Sequence, residues 1–303
     1  MNAPVPSDDD LAGERSRLLD IAFRMLGSSA EAENVVDATM TLWAAVSGGE
    51  RARIESRREW LTEILARTCF DHLRQARTER EHYVGEWLPE PIPHPHSEGG
   101  LDGEPDADGR LDRVSLDESL NMLLLVVLET LAPEQRVAFI LHDVFGVPFD
   151  GIADVVGRTP DSTRQLAHAA RHLIQQRKAD RVPRNRHRAI VLELLAGCET
   201  GDEERIKAVL HPEITIVIDG GGKVDAAETP VQGIDQVARL LTQHFTGACE
   251  TTASERSVNG HAGLVFRQAE RVVAVLSANL KSGQIVDLWV VVNPDKLRHW
   301  NPA

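Results

Sequence analysis

A polar helix directly after a glycine turn carries the side chains best suited to bind a charged ligand. Gly157 makes the turn, Thr159 is placed to cap the helix, and Pro160 stands at its first position. A short helix is predicted over 149–156, and two helices joined by a tight glycine turn form a helix-turn-helix. Such a motif meets DNA base edges near the start of its second helix. The candidate DNA contacts are Arg158, Ser162, Arg164, Gln165, His168 and Arg171. We expect Leu166, Ala169 and Leu173 to face the interior.

The charge of this region differs from that of the chain. All 303 residues together have a net charge of −14, whereas 158–188 contains nine Arg or Lys residues against two acids. Half of the acidic excess lies in 81–114, where nine acids stand against two arginines. Phosphate binding depends on the contacted surface more than on total charge, so the basic segment suits DNA. A solvated charged face is the plainer alternative, but it leaves the turn and the cap unexplained.

A second basic stretch lies nearer the N-terminus. Between residues 51 and 80, eight arginines oppose five acids, so the positive excess is modest. A solvated helix with internal ion pairs explains this stretch nearly as well on charge alone. Its presence beside a helix-turn-helix favours a second DNA contact, and the candidate residues are Arg51, Arg53, Arg57, Arg58, Arg67, Arg74, Arg77 and Arg80.

Changes of pattern divide the chain into five segments. Apolar residues at helical spacing predict a helical bundle over 12–82. The next segment, 83–115, is an acidic linker whose prolines exclude a continuous helix. The helix-turn-helix domain then spans 116–179, a basic tether 180–188, and a last domain 189–303.

The last domain is predicted to be α+β. Two helices are expected over 189–197 and 203–210, and β-branched runs that predict strands follow them at 214–218, 263–266, 272–276 and 285–292. Helices that precede a sheet indicate a domain whose helices lie on one sheet face.

Several classes of protein are disfavoured by the composition. No apolar run approaches the roughly 18 residues that a membrane span needs. The first ten residues lack the basic start and apolar core of a secretory signal. Cys69, Cys198 and Cys249 show no CxxC or Cys/His spacing, so neither a disulfide framework nor a zinc site is indicated. We therefore expect a cytoplasmic protein without metal or cofactor.

Three long stretches together resemble a known family. They read RSRLLDIAFRMLGSSAEAENVV at 15–36, REWLTEILARTCFDHLRQARTEREHYVGEWLPEP at 58–91 and LHDVFGVPFDGIADVVGRTPDSTRQLAHAARH at 141–172. They resemble an extracytoplasmic-function (ECF) sigma factor of bacterial RNA polymerase. The motifs WLPEP at 87–91, DGGGK at 219–223 and NPDKL at 293–297 narrow the resemblance to the subgroup with a C-terminal SnoaL-like domain.

This resemblance implies a multidomain fold and two partners. The fold would consist of two all-α sigma domains, a region 2 bundle and a region 4 helix-turn-helix, followed by a cone-shaped α+β SnoaL-like domain. Core RNA polymerase would hold the chain at promoter DNA, where 51–80 opens and reads the −10 element and 160–172 reads the −35 element. The polymerase does the chemistry, so no active site is expected in the chain itself.

The resemblance also implies a polymerase-binding helix over 33–43. Its candidate contacts are Glu33, Asn34, Val35, Val36, Asp37 and Trp43. Relatives usually read AEDVVQEAW where this chain reads AENVVDATM, so several polar contacts differ. We expect binding to survive on Val35, Val36 and Trp43.

Two roles remain open for the C-terminal domain. Some SnoaL-like relatives are isomerases or cyclases with a buried Asp or His base; the candidates here are His211, Asp219, His244 and Asp287, and none stands in a specific motif. In the sigma subgroup the domain instead contacts the sigma domains and tunes their activity. The regulatory contacts implied are Trp87, Leu88, Asp219, Lys223, Asn293, Asp295 and Lys296. A small-molecule ligand stays open, as does a ligand-sensing helix-turn-helix regulator that acts without polymerase.

Overall fold

The structure is a computed structural model that describes residues 8–80, 83–93, 121–177, 182–245 and 251–302, with 8–11 and 77–80 described by backbone alone. The chain divides into two compact units. Residues 8–79 and 127–176 belong to the first unit, whereas residues 80, 83–93, 121–126, 177 and the described residues from 182 onward belong to the second. Within the described ranges, no helix is long and apolar enough to cross a membrane.

The first unit begins with the predicted helical bundle. Its helices are α1 (Asp8–Leu26), α2 (Ser29–Ala45), α3 (Gly48–Arg51) and α4 (Arg57–Arg80). Gly27, at φ 70°, ends α1 in the left-handed conformation, and the Ser28 side chain caps α2 by accepting from Glu31 N. Buried residues recur every three to four positions, as amphipathic helices require: Leu18, Ile21, Ala32, Val35, Val36, Leu61 and Leu65.

The helix-turn-helix domain contains α5 (Met122–Glu129), α6 (Pro133–Phe139), a π-helical segment (Ile140–Val144), α7 (Phe149–Val156) and α8 (Pro160–Arg177). The predicted bounds of α7 are confirmed, whereas the π-helical segment is not apparent from the sequence. Arg136 of α6 donates to both carboxylate oxygens of Glu129, at 2.7 and 2.9 Å, and to the carbonyl of Met25 at 2.9 Å. It thereby ties α5, α6 and α1 together within the first unit.

The C-terminal domain has the predicted α+β architecture. Its helices are α9 (Arg184–Thr200), α10 (Glu203–Val209) and α11 (Ile234–His244). Its strands are β1 (Leu210–Asp219), β2 (Val231–Gln232), β3 (Thr251–Val258), β4 (His261–Gln268), β5 (Arg271–Lys281) and β6 (Gln284–Val291). They form one sheet in the order β2-β1-β6-β5-β4-β3, in which only the β1–β6 pair is parallel.

Both faces of this sheet carry apolar clusters. On one face, strand residues such as Leu264 and Leu276 pack with α9, α10 and α11. Their neighbours Val265 and Val275 belong to a second cluster, because successive strand residues point to opposite faces. The linker, the first turns of α5 and a 3-10 helix (Pro294–Trp300) supply the rest of that second cluster: Leu88, Met122, Leu123, Val126, Leu297 and Trp300.

The start of this domain differs from the prediction. The helix expected from residue 189 begins instead at Arg184, so 184–188 is the first turn of α9 and not a tether in the structure. His187 anchors this turn, because its Nε2 lies 3.0 Å from the carbonyl oxygen of Ala278 on β5. Helix α11 and strands β2 and β3 were not predicted from the sequence. The edge strand β3 is mostly polar, so it lacks the β-branched run that marked the other strands.

Candidate functional site

The turn between α7 and α8 has the geometry of a helix-turn-helix. Gly157 adopts the left-handed conformation at φ 67° and ψ 41°, and Arg158 N donates to the carbonyl of Ala153 at 3.0 Å. Thr159 caps α8, because its Oγ1 accepts from Ser162 N at 3.3 Å. The predicted glycine turn and cap are confirmed.

The exposed side of α8 brings together three of the candidate DNA contacts. Arg164, Gln165 and His168 are exposed, and Ser162 is half-buried. The buried stripe consists of Thr163, Ala167, Ala170 and Ile174, one position later than expected. Thr163 can lie inside because its hydroxyl donates to the carbonyl of Thr159 at 3.0 Å. The expected burial of Leu173 is wrong, since this residue is 41% exposed.

Arg171 lies on α8 and pairs with an acidic residue of the π-helical segment. Its Nε and Nη2 donate to the two carboxylate oxygens of Asp143, at 3.0 and 2.7 Å. Asp143 belongs to the π-helical segment, and its side chain is almost fully buried. A bidentate pair of this kind fixes both partners in orientation. The guanidinium of Arg171 therefore fastens α8 to the preceding element in this structure.

Phe149, at the start of α7, supports the same region with its ring. The His142 ring stacks on it with centroids 3.8 Å apart. The guanidinium of Arg164 lies 5.3 Å from the Phe149 centroid and pairs with Asp161 at 2.8 Å. Arg164 is thus held at the surface, where its remaining donors point towards solvent or a ligand.

The arginines of α3 and α4 are largely engaged with local partners. Arg51 donates to the carbonyl of Trp43 at 2.7 Å, and Arg67 pairs with Glu63 at 2.7 Å. Arg58 donates to Glu14 at 2.9 Å. Burial of Glu14 opposes its ionisation, but hydrogen bonds from Arg58 and Arg17 lower its pKa below the usual value.

The remaining arginines of this stretch differ in exposure. Arg53 and Arg74 are exposed, with Arg74 lying 5.8 Å from the Phe70 ring centroid, and Arg57 is half-buried. The side chains of Arg77 and Arg80 lie outside the described residues. Helix α4 thus contains an internal ion pair, Arg67–Glu63, and only some of its arginines face outward.

The candidate polymerase contacts divide into two groups on α2. Val35 and Val36 are buried, so their side chains hold α2 in the bundle. Glu33, Asn34 and Asp37 are exposed, and Asp37 pairs with Arg15 at 2.5 Å.

The aromatic end of α2 carries a further surface residue. Trp43 is half-buried, with its ring centroid 5.2 Å from that of Trp60. Leu42 is 52% exposed and was missed by the sequence analysis, although an apolar residue beside a half-exposed tryptophan is a signal for a contact surface.

Several of the predicted regulatory residues meet around one buried carboxylate, Asp219 at the end of β1, whereas Lys223 and Asp295 pair with each other at the surface. It accepts hydrogen bonds from Tyr83 Oη at 2.6 Å, from Leu88 N at 2.8 Å and from Lys296 Nζ at 2.6 Å. Lys296 also donates to the carbonyl of Leu88 at 2.6 Å, and its ammonium lies 3.9 Å from the Trp87 ring centroid. The WLPEP, DGGGK and NPDKL segments are thus joined by one charged network.

The glycines of the DGGGK segment are explained by close approach. A Cβ on Gly221 would lie 2.2 Å from the Nδ2 of Asn293, and Gly222 faces Val84. Asn293 uses that amide to donate to Tyr83 Oη at 3.0 Å. Lys223 pairs with Asp295 at the surface. Only glycine allows the backbone to come this near to the linker.

The linker continues along the sheet beyond this network. Trp300 Nε1 donates to the carbonyl of Pro91 at 2.7 Å, and Asn259 N donates to that of Ile92 at 2.9 Å. The Asn259 side chain accepts from Ile92 N at 2.8 Å. Tyr83, Asn259 and Trp300 were missed by the sequence analysis, because nothing local marks a residue whose partner lies more than 130 positions away.

The candidate catalytic residues do not converge. Asp219 is occupied by three donors, Asp287 accepts from Asn279 at 2.8 Å, and His211 lies beside Glu213. A pocket of about 250 Å³ opens between the linker and the DGGGK segment, where Gly220, Lys223 and Glu228 are among its lining residues. None of the four candidates lines that pocket.

Comparisons with known proteins decide the family. Residues 12–79 match the family model "Sigma-70 region 2", and 121–173 match "Sigma-70, region 4". The chain is 34% identical over 294 residues to the ECF RNA polymerase sigma factor SigJ of Mycobacterium tuberculosis, covering 93% of this chain and 90% of that protein. The chain is an ECF sigma factor.

Further relatives support the same assignment for this sigma factor. The probable ECF sigma factor SigI of M. tuberculosis is 32% identical over 288 residues, covering 93% of this chain and 92% of the relative. The crystal structure of M. tuberculosis SigJ matches with a TM-score of 0.72 at 30% identity, covering 97% of this chain and 99% of that one. The fold prediction is confirmed: helical region 2 and region 4 domains precede a helix-plus-sheet domain of the SnoaL-like kind. Family membership also favours a sigma factor over a polymerase-independent regulator.

Proposed function

We propose that this sigma factor binds core RNA polymerase and directs it to promoters whose −10 element is read by region 2 and whose −35 element is read by region 4. The observation that carries the region 4 assignment is the exposed side of α8, where Arg164, Gln165 and His168 stand together. Arg171 takes a different role from the one expected of a base contact. It positions α8 through Asp143.

The polymerase-binding surface is proposed on the outer side of α2. Glu33, Asn34 and Asp37 supply its exposed polar part, while Leu42 and Trp43 supply its apolar part. Val35 and Val36 support this surface from the core and do not form it. The departures at Asn34 and Asp37 fall on the exposed part, so they alter the contact itself.

The C-terminal domain is proposed to tune initiation by holding the linker. Residues 83–93 follow region 2, and the Asp219 network fixes this segment on the sheet through both side chains and backbone. Retention of the linker restricts how region 2 and region 4 can be arranged on the polymerase and the promoter. We also propose that the acidic linker and this domain screen the basic surfaces of the free chain.

Catalysis and ligand binding are secondary for this domain. The most deeply buried candidate base, Asp219, accepts three hydrogen bonds, so it has little capacity left to take a proton from a substrate. We propose a regulatory domain without turnover. A small molecule in the pocket beside Lys223 would act by changing the hold on the linker.

The test uses the full-length chain with bacterial core polymerase and the upstream region of its own gene. Lys296→Met removes the cation that bridges Asp219 and Leu88, and Lys281→Met, in an exposed pair with Glu213, is the matched control. We expect Lys296→Met to bind core normally but to change the transcript yield several-fold. The control should behave as the wild type.

Release of the linker can be followed independently by proteolysis. Leu88 is buried and its N–H is bonded to Asp219, so chymotrypsin should cut the Trp87–Leu88 bond only when the linker leaves the sheet. If the Trp87–Leu88 bond becomes cleavable in Lys296→Met and the transcript yield stays unchanged, the regulatory role is wrong. If neither chain binds core polymerase, the assignment of the polymerase surface is wrong as well.

A further inference from the structure

A buried histidine and a half-buried histidine face each other where the C-terminal sheet meets the start of α5. His187 of α9 and His261 of β4 have ring centroids 5.4 Å apart in an edge-to-face arrangement. Because the Ala278 carbonyl can only accept, His187 Nε2 must carry the proton of that 3.0 Å bond. Its Nδ1 is then an unprotonated acceptor, and it is buried without a hydrogen-bond partner among the described residues.

The protonation state of His261 follows from its hydrogen bond with the neighbouring Asn121. The side-chain Oδ1 of Asn121 accepts from Leu123 N at 2.8 Å and caps the first turn of α5. This bond fixes the orientation of the amide, so the Nδ2 donor of Asn121 faces His261 Nε2 at 3.1 Å. A donor needs an acceptor, and His261 is therefore neutral with its proton on Nδ1.

We propose that His187 and His261 form a proton-sensitive latch, which holds the start of α5 on the C-terminal sheet at neutral pH and releases it on acidification. Protonation of His261 places an N–H against the N–H of Asn121. The Asn121 amide can flip to accept from the imidazolium, but its Oδ1 then leaves Leu123 N and α5 loses its cap. Protonation of His187, whose ring centroid lies 5.4 Å from that of His261, adds repulsion between the two positive charges.

The groups that surround His187 and His261 also disfavour protonation of the two rings. Arg184 and Arg188 on α9 are cationic, Glu255 on β3 is engaged by Arg188 at 3.1 Å, β5 contributes the Ala278 carbonyl and α5 contributes the neutral Asn121. Burial, followed by the nearby His187 and Arg184, lowers the pKa of His261 to about 4. Burial also lowers the pKa of His187, against its hydrogen bond to Ala278.

The sign of the pH effect follows from these shifts. Both histidines are less basic in the closed latch than in water, where their pKa is near 6.5. Protons therefore bind more tightly to the open form, and the latch is at full strength above about pH 6.5. Its stability is lost progressively as the pH falls from there towards 4.

The consequence for transcription rests on the proposed function. Met122, Leu123 and Val126 of α5 lie in the same apolar cluster as Leu88 of the linker. The helix that they begin continues to Glu129, which binds Arg136 in region 4. A proton that opens the latch loosens the hold of the C-terminal domain on the linker side of region 4.

Hydrogen exchange in the full-length chain tests the latch directly. We expect the protection factors of the α5 amides of Leu125 and Val126, corrected for the intrinsic rate, to fall about tenfold between pH 7.5 and 5.5 from His261 alone. The amides of Val237 and Leu241 in α11 should keep their protection and serve as the internal control.

Two variants separate the latch from general acid unfolding. His261→Gln keeps an acceptor for Asn121 but cannot titrate in this range, so its α5 protection should depend on pH much less than that of the wild type, with only the contribution of His187 left. Asn121→Asp keeps the cap and offers a carboxylate to the imidazolium, so its protection should rise on acidification. An unchanged wild type, or a His261→Gln chain that loses protection as steeply as the wild type, would overturn the latch.

Transcription measured at both pH values distinguishes this inference from the proposed function. The yield of the wild type is divided by that of His261→Gln at each pH, which removes the pH dependence of the polymerase. If hydrogen exchange shows that the latch opens while this ratio stays constant, the latch is supported and regulation by the C-terminal domain is contradicted. A ratio that changes several-fold together with α5 protection supports both.

Discussion

Asp219 concentrates three interactions on one buried side chain. Tyr83 and Leu88 reach it from the linker and Lys296 from the 3-10 helix, with donor distances between 2.6 and 2.8 Å. A buried carboxylate is tolerated only when its lone pairs are satisfied. The contact between linker and domain is therefore an all-or-none arrangement, since removal of one donor leaves the others beside an under-satisfied charge.

Tyr83 provides a direct optical measure of this arrangement. Burial raises the pKa of the Tyr83 hydroxyl, and its hydrogen bond to Asp219 raises it further because a tyrosinate would face a carboxylate. Tyr83 is the only tyrosine in the chain. We expect its ultraviolet absorbance to titrate well above the ordinary pKa of about 10 in the native chain. In urea, or in Asp219→Asn, the midpoint should return towards 10, and an ordinary native midpoint would contradict the contact.

The pair of Asp219 and Lys296 should show strong coupling in a double-mutant cycle. Asp219→Asn and Lys296→Met each leave a buried charge without its partner, and each should lower the free energy of unfolding by about 3–5 kcal/mol. The double variant should cost clearly less than the sum of the single changes. Urea unfolding followed by tryptophan fluorescence measures all four chains. Additive losses would mean that the two charges do not interact.

Helix α8 separates its reading residues from its positioning residue. Gln165 is exposed, whereas Arg171 is bound to the buried Asp143. We expect Arg171→Ala to destabilise the region 4 domain by about 3 kcal/mol, because a buried carboxylate loses its partner. Gln165→Ala should change stability by less than about 0.5 kcal/mol.

The same two variants should differ in promoter selection. We expect Gln165→Ala to change discrimination at one −35 position by about 1–3 kcal/mol, measured as relative transcript yields from a set of −35 variants. Arg171→Ala should weaken transcription from all of them alike. A base-specific effect of Arg171→Ala with normal stability would return Arg171 to the reading surface.

Local signals in the sequence predicted the elements well where a turn residue and a helical period coincide. Gly157, Thr159 and Pro160 fixed α7 and the start of α8 without reference to the rest of the chain. The buried residues of α8 lie one position later than predicted. A side-chain hydroxyl that bonds to the helix backbone can be buried in place of an apolar residue, as Thr163 shows. The π-helical segment has no comparable local mark.

Removal of the C-terminal domain should affect more than regulation. Leu88 of the linker and Met122 at the start of α5 are buried against this domain's sheet. A chain ending at Arg188 would expose both, together with Leu123 and Val126, so we expect it to bind a hydrophobic dye more strongly and to self-associate. Light scattering and dye fluorescence against the full-length chain measure this. A monomeric truncated chain with no added dye binding would contradict it.

The regulatory contact shows where sequence reasoning depends on long-range information. Resemblance to the family supplied Trp87, Leu88, Asp219, Asn293 and Lys296, but it did not supply Tyr83, Asn259 or Trp300, which make equally direct contacts with their partners. Each of these partners is far away in the chain, and no periodicity or turn chemistry encodes such a pairing. The latch of His187 and His261 was missed for the same reason.

The covalent attachment of the linker to the sheet on which it lies has a consequence for dosage. A separate inhibitor must be synthesised in proportion to its target and is diluted as a cell grows, whereas a tethered segment meets its site at an effective concentration near the millimolar range. Each chain carries one linker and one sheet surface that binds it, so the fraction of chains with a bound linker does not depend on expression level. A cell could raise the amount of this protein many-fold without changing the share that is held, and only a signal acting on the contact would alter it.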